Sequence, residues 1–323
     1  MLSIALAADT NFFPGLHLAM ASILRHTSAD KIHFHVLDGG LSHGDRAKIE
    51  ELVVAEKGKA ALEFHTVDTS LFKGFHQMYG NTLTYARLLL PNILPGLDEV
   101  IYCDSDAYYG ADLSELGAIP LDGKSAAVVR DPLVKTLGND CTWLPRSSRE
   151  HDAPYFNAGV MKINLCYWRE RGISGKAMEM AGIDPHKYQY WDQSILNLVL
   201  LNTTQWVPAK FNYIVFPEGS IDSGSEECEG KNLHYISTAK PWNRHSRRKT
   251  FRYWRACYLR EFSKRPPLVF SARYWGMFFW GEIIVASPLK NPVCGFLLKT
   301  GVYRLLPSVT ETKLLKHLGK GDQ

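Results

Sequence analysis

Over its first hundred residues the chain alternates short apolar runs with longer stretches in which apolar positions recur every three or four residues. Residues 3–8 read as a buried strand, and 15–25 as an amphipathic helix with its apolar face at Leu16, Met20, Ile23 and Leu24. Residues 32–37 form a second strand, 42–55 a helix opened by a serine cap at Ser42, and 62–67 a third strand. Strands separated by helices in this way predict a parallel sheet with helices on both faces, and in such sheets ligands bind beyond the carboxyl ends of the strands. Downstream, Val100-Ile101-Tyr102-Cys103, 126–129 and 160–164 continue the strand pattern, 168–180 reads as a helix, and the polar stretch 135–153 reads as a loop over a site. There is no internal repeat and no low-complexity tract.

The strand ends carry the chemistry. Asp104-Ser105-Asp106 directly follows an apolar run, where unpaired carboxylates are costly but two of them, spaced by one residue along a strand, can face one hard cation. Ala8, Asp9 and Asn11 occupy the end of the first strand. Either Asp9 or Asn11 meets a nucleobase or ribose there, or the segment is an ordinary Asp/Asn turn. Arg87, in Thr84-Tyr85-Ala86-Arg87, is either a solvated helix residue or a phosphate or sugar ligand. Asp192-Gln193 opens a helix, as a cap with a structural amide or as an acid and amide facing a sugar.

Composition narrows the class. A chain of 323 residues with 46% hydrophobic content supports a large core. The six cysteines show no CxxC spacing, which excludes a zinc cluster of that type and a dense disulfide framework. The start of the chain reads as a strand, without a basic signal-peptide region, and no apolar stretch has the length of a spanning helix, so the expected compartment is a reducing cytoplasm. The net charge of +4 is unevenly distributed: 243–323 hold 16 Lys and Arg against 4 Asp and Glu, leaving 21 against 29 in 1–242.

Taken in order, Ala7-Ala8-Asp9, Thr84-Tyr85-Ala86-Arg87, Asp104-Ser105-Asp106, Phe156-Asn157-Ala158-Gly159, Asp192-Gln193 and His234-Tyr235 with Lys240-Pro241-Trp242 resemble the motifs of the retaining glycosyltransferases of family eight, especially the bacterial lipopolysaccharide galactosyl- and glucosyltransferases. The resemblance implies a GT-A type α/β domain over about 1–242, with a Rossmann-like mixed sheet and flanking helices. It implies Mn2+ or Mg2+ held by Asp104, Asp106 and His234, and a UDP-sugar whose nucleotide and diphosphate meet Ala8, Asp9, Asn11, Ser105, Ser237 and Lys240. The donor sugar would be gripped by Arg87, Asp104, Asn157, Ala158, Asp192 and Gln193, and Asp131 falls where the family has an acid near the sugar and acceptor. Catalytic roles thus fall to Gln193, Asp192 and Asp131. One departure is Ser237, where the family pattern has a glycine that lets the backbone approach the diphosphate.

The implied reaction is transfer of galactose or glucose to a hydroxyl of a growing glycan with retention. Because Gln193 is a poor nucleophile, front-face substitution is expected in preference to a covalent sugar intermediate. Residues 243–323 interleave Arg244, Arg247, Arg248, Lys249, Arg252, Arg255 and Arg260 with Phe251, Tyr253, Trp254 and Tyr258, followed by an aromatic run over 274–280. That composition suits a mainly helical region on an anionic membrane surface, peripheral on the inner face, with a solvated basic face packed on the catalytic body as the competing reading. No nucleic-acid module frames it. Alternatives are a glycogenin-like transferase acting on a soluble acceptor, a non-catalytic nucleotide-sugar-binding scaffold, and a nucleotidyltransferase, which would need a basic loop after the first strand.

Overall fold

The computed structural model describes residues 1–77, 81–216, 228–236, 239–244 and 249–269. Ser237, Arg247, Arg248 and the aromatic run 274–280 lie outside them.

The strands are β1 (Leu2–Ala8), β2 (Ile32–Asp38), β3 (Ala60–Thr66), β4 (Glu99–Asp104), β5 (Ala107–Tyr109), β6 (Ala126–Arg130), β7 (Phe156–Asn164), β8 (Thr204–Trp206), β9 (Tyr213–Ile214) and β10 (Asn232–His234). The helices are α1 (Phe13–His26), α2 (His43–Val54), α3 (Leu90–Ile93), α4 (Leu113–Gly117), α5 (Leu137–Asp140), α6 (Leu165–Glu170), α7 (Ile173–Ile183), α8 (Trp191–Val199) and α9 (Phe251–Phe262). A seven-stranded sheet runs β3-β2-β1-β4-β7-β6-β8, and a three-stranded sheet runs β5-β10-β9.

The all-parallel expectation holds through β3-β2-β1-β4 and then fails, because β7 is antiparallel to both β4 and β6. The reason is local. After β6 the chain makes its excursion over 131–155 without a crossover helix to carry it back across the sheet, so the next strand must run in reverse. The mixed sheet implied by the family resemblance is therefore the observed one. Its consequence is positional: the carboxyl ends of β1, β4 and β6 and the start of β7 meet at one edge, and the site residues lie there.

Alternating apolar positions of the central strands bury two cores, one on each face. Leu6, Phe34 and Val36 pack with α1 on one side, and Ala5, Val100 and Tyr102 with the 3-10 helix Leu83–Leu89 and α8 on the other. Ser42 does cap α2, accepting the Asp45 N–H. The helix expected over 168–180 is broken into α6 and α7 at Gly172, whose φ of +61° ends the first and seats the second. The expected loop 135–153 instead includes α5, with a capping box at Thr136, and a small core of Val134, Leu137, Cys141 and Tyr155.

The basic region begins by packing on the body. On α9, Phe251, Trp254, Cys257 and Tyr258 are buried with Leu18 and Trp242, and the Arg260 guanidinium donates to the Tyr108 hydroxyl at 2.6 Å. Arg255 donates to the Pro241 carbonyl at 2.8 Å. Phe251, Trp254 and Tyr258 thus fill a core instead of lying at headgroup depth, which corrects the membrane reading for these three rings. Spacing of three and four residues, with Arg252 and Leu259 left outside, is what turns that face inward.

Candidate active site

β4 delivers Asp104 at its last residue, but Ser105 and Asp106 form a turn, so the two carboxylates converge through that turn and not through strand alternation. The turn is tied down on all sides. The Ser105 hydroxyl donates to the Ala7 carbonyl at 2.7 Å, and the Tyr109 hydroxyl to the Asp104 carbonyl at 2.8 Å. Gly15 of α1 packs beneath it, so tightly that a Cβ there would lie 2.4 Å from the Ser105 oxygen.

β10 pairs with β5 so that His234 stands opposite Ala107, which brings the imidazole to the carboxylates. Its Nε2 lies 3.1 Å from Asp106 Oδ1 and 3.6 Å from Asp104 Oδ2, and the three ligand atoms lie within 4.8 Å of one another. The hydrogen-bond chain behind the ring fixes its tautomer. The Gly159 N–H donates to Asn157 Oδ1 at 3.0 Å, so the Asn212 atom 2.8 Å from that oxygen must be Nδ2. Asn212 Oδ1 then faces His234 Nδ1 at 2.9 Å and requires a proton on it, so Nε2 is the ring nitrogen turned toward the two carboxylates. An imidazole nitrogen and two carboxylates converging on one point suit a cation, and that donor set suits Mn2+ or Mg2+.

Charge points the same way. Burial pushes Asp106 up, but Lys240, whose Nζ sits 2.5 Å from Oδ2, and His234 outweigh it and hold the carboxyl well below its usual range. Burial, reinforced by Asp106, raises Asp104 in spite of Arg87. Asp104, Asp106, Asp131 and Asp192 line one cavity with Arg87, Lys240 and His234, a surplus of carboxylates over Lys and Arg that a divalent ion would offset.

That cavity has a volume of about 250 Å3. It brings together Ala8, Arg87, Asp104, Ser105, Asp106, Asp131, Asn157, Ala158, Asp192, Gln193, His234 and Lys240 from across the chain. Arg87 is its pivot: Nη2 pairs with Asp104 at 2.9 Å, Nε with Asp192 at 2.9 Å, Nη1 donates to the Ala158 carbonyl, and the guanidinium stacks on Tyr102 at 4.3 Å. It is a buried structural cation, not a solvated helix residue, and burial raises the Asp192 carboxyl against its pull. The other Asp192 oxygen accepts from the Thr84 hydroxyl at 2.5 Å. Asp192 is the second residue of α8, whose cap position is Tyr190.

Gln193 is oriented by the backbone. Its Oε1 accepts the Ala158 N–H at 3.0 Å, which turns Nε2 toward Asp131 Oδ2 at 3.4 Å. Asp131 also accepts from Asn157 Nδ2 at 3.1 Å and, through Oδ1, from the N–H groups of Leu133 and Val134. Asp9 and Asn11 do not line the cavity. Asp9 accepts the Phe12 N–H at 3.0 Å and the Asn81 amide at 2.9 Å, Asn11 is exposed, and Phe12 and Asn81 take the lining positions beside them. Asn212 and Thr84 were missed as site residues: Asn212 precedes a two-residue strand and carries no periodic or motif signal, whereas Thr84 stood inside a motif already singled out.

Comparison with known proteins accords with this geometry. The chain is 25% identical over 255 residues to the lipopolysaccharide 1,2-glucosyltransferase of Escherichia coli K12, covering 75% of this chain and 73% of that protein. It is 28% identical to the lipopolysaccharide 1,3-galactosyltransferase of Salmonella typhimurium LT2 over the same shares, 75% and 73%. Among solved structures, the galactosyltransferase LgtC in complex with donor and acceptor sugar analogues superposes with a TM-score of 0.66 at 26% identity, covering 80% of this chain and 95% of that one. Residues 3–246 match the Glycosyl transferase family 8 model. With its GT-A fold, its Asp-Asp-His cluster at the strand ends and this match over most of its length, the chain belongs to glycosyl transferase family 8 and is a glycosyltransferase.

Proposed function

We propose that this enzyme moves galactose or glucose from a UDP-sugar to a hydroxyl of a lipopolysaccharide or related cell-surface glycan, retaining the anomeric configuration, with Mn2+ or Mg2+ at Asp104, Asp106 and His234. The observation that carries the reading is the single cavity in which this cluster, Lys240 and the Arg87-Asp192-Gln193-Asp131 network all converge. The names of the two bacterial relatives support the glycan class, and the LgtC complex supports a cavity shared by donor and acceptor.

In this reading the anomeric C–O bond to UDP breaks while a bond to the acceptor oxygen forms on the same face. The acceptor proton passes to the departing phosphate oxygen. A divalent ion, when bound, supplies charge neutralisation for the leaving diphosphate. Lys240 adds a second cation at that end of the cavity. Asp192 has Oδ1 hydrogen-bonded by Thr84 and Oδ2 ion-paired with Arg87 but without a hydrogen bond among the described residues, and Asp131 has both oxygens engaged by N–H donors. The Arg87 ion pair on Asp192 and the N–H donors on Asp131 lower the nucleophilicity of each, which favours front-face substitution with Gln193 and Asp192 stabilising the oxocarbenium-like centre. Nucleotide contacts would come from Ala8 and Ser105, with Asp9 and Asn11 shaping the turn beside them, and Ser237 lies outside the described residues.

UDP release from a panel of UDP-sugars, with Mn2+ or EDTA, tests this in wild type and Asp106→Asn. The expected result is metal-dependent turnover of one UDP-hexose, lost in the variant, with an α-linked product by NMR. Turnover that survives EDTA, an inverted product, or a sugar trapped on Asp192 in a Gln193→Ala variant would overturn it. If the donor alone is not hydrolysed, metal-dependent UDP binding lost in Asp106→Asn separates a missing acceptor from a non-catalytic scaffold.

A cytoplasmic enzyme resting on the inner face of the membrane through its basic carboxyl-terminal region completes the proposal. No helix among the described residues is long and apolar enough to cross a membrane. Flotation with anionic vesicles at low salt tests attachment, and the informative truncation is after Val269, because a cut after Trp242 would strip α9 from the core. Equal flotation of the full and truncated chains, or none, would refute it.

A further inference from the structure

A second side-chain cluster lies on β2 and β3, and none of its residues lines the catalytic cavity. His33 and His35 are two apart on β2, Glu63 and His65 two apart on the edge strand β3, and the parallel register sets His35 beside Glu63. All four side chains therefore stand on the same face of the sheet. His33 Nε2 lies 3.9 Å from Glu63 Oε2, His35 Nδ1 3.7 Å from it and His65 Nε2 3.8 Å from it, while His35 Nδ1 and His65 Nε2 are 3.1 Å apart. The ligand atoms of His33, His35 and Glu63 lie within 4.8 Å of one another.

We infer that His33, His35, His65 and Glu63 form a binding site for a divalent transition-metal ion of the zinc type, distinct from the catalytic site. The three distances to Glu63 and the His35–His65 distance bracket the roughly 3.4 Å edge of a tetrahedron built on metal–nitrogen bonds of about 2.0–2.1 Å. Three imidazoles and one carboxylate select Zn2+, Co2+, Ni2+ or Cu2+ over Mg2+ or Mn2+, the reverse of the oxygen-rich pair at Asp104 and Asp106. His35 is the buried floor of the cluster, with Glu63 more than half exposed at its mouth, which leaves a path for entry. An ion held here would clip the edge strand β3 to β2, stabilising a strand that otherwise pairs on one side only.

The test uses the full-length chain, stripped of metal, in an Asp106→Asn background and also as wild type. Zn2+ is titrated against a chromophoric chelator, with Co2+ as a spectroscopic probe. The Asp106→Asn chain is expected to bind one Zn2+ and to show the strong visible absorption of tetrahedral Co2+. His33→Gln/His65→Gln should weaken Zn2+ binding by more than the roughly 10–100-fold that losing an outer-shell partner costs. Both side chains are part-exposed, so the variant should melt with its parent in EDTA and lose only the Zn2+-dependent rise in Tm. In the wild type the same double variant should lose one equivalent while metal-dependent UDP binding persists. No Zn2+ retained by either parent, or equal Zn2+ affinity with and without the two histidines, would overturn the inference.

Discussion

Gly159→Ala is the sharpest probe of how the site is built. A Cβ on Gly159 would lie 2.2 Å from His234 Cε1 and 2.5 Å from Nδ1, whereas carbon atoms pack at about 3.5–4.0 Å, so ring and strand must separate by more than 1 Å. Neither can give easily. Gly159 lies in the bulge where β7 shifts register against β6, flanked by Asn157 paired to Val129 and Val160 paired to Cys103, and His234 is 4% exposed and held by Asn212. Displacement of the ring would break its bond to Asn212 and spoil the three-ligand geometry. We expect kcat/KM to fall about 100-fold or more, as for a 1 Å misplacement, with an overpacking cost of about 1–3 kcal/mol. UDP release at saturating metal, with denaturant unfolding in parallel, measures both. Gly175→Ala is the control: that glycine is exposed on α7 with nothing within 4 Å of its virtual Cβ, and the change should be neutral or slightly stabilising. Wild-type kcat/KM and metal affinity in Gly159→Ala would refute the claim that close approach at this glycine seats His234.

Asn212→Ala removes the acceptor that fixes the His234 tautomer and should weaken metal affinity about 10–100-fold, read by Mn2+ titration of UDP binding. An unchanged titration would show that the ring is held by the carboxylates alone. Arg87→Lys cannot serve Asp104, Asp192 and the Ala158 carbonyl together, and should cost about 3–5 kcal/mol in urea unfolding, as when one partner of a buried pair is lost; a loss under 1 kcal/mol would refute its role as pivot. Burial lowers His17 and His35 to about 3, so below pH 6.5 the unfolded chain takes up protons that the native chain does not. Stability should therefore fall on acidification, by about 2 kcal/mol per histidine between pH 7 and 5. His17→Gln should reduce the fall measured by urea unfolding, and an unreduced fall would exclude His17 as a contributor.

Local patterns were legible where their cause is local. Ser42 caps α2 because a serine oxygen reaches the first-turn N–H groups in any context, and the strands β1 and β4 follow from runs of apolar residues that need burial on two faces. The helix break at Gly172 was missed because a single glycine within an apolar period is ambiguous until its φ is known. The helical turn α5 and the small core within the loop 135–153 were not legible, because that core draws on Tyr155 and Val134 at its two ends and such closure leaves no periodic trace.

At the site the division is the same. The sequence by itself determined the residue types and their order: two carboxylates after a buried run, a late histidine and lysine, and an acid-amide pair, because chemistry limits which side chains can hold a cation and a sugar. Tertiary structure alone decided how they meet. Asp104 and Asp106 converge through a turn braced by Gly15, His234 arrives on a strand paired more than a hundred residues from its partner, and Asn212 sets its tautomer. It likewise turned part of a basic, aromatic segment inward and gathered His33, His35, Glu63 and His65 onto one face. Side-chain identity is written along the chain, but register, reversal of β7 and hydrogen-bond direction depend on contacts between distant segments, and those exist only once the sheet has formed.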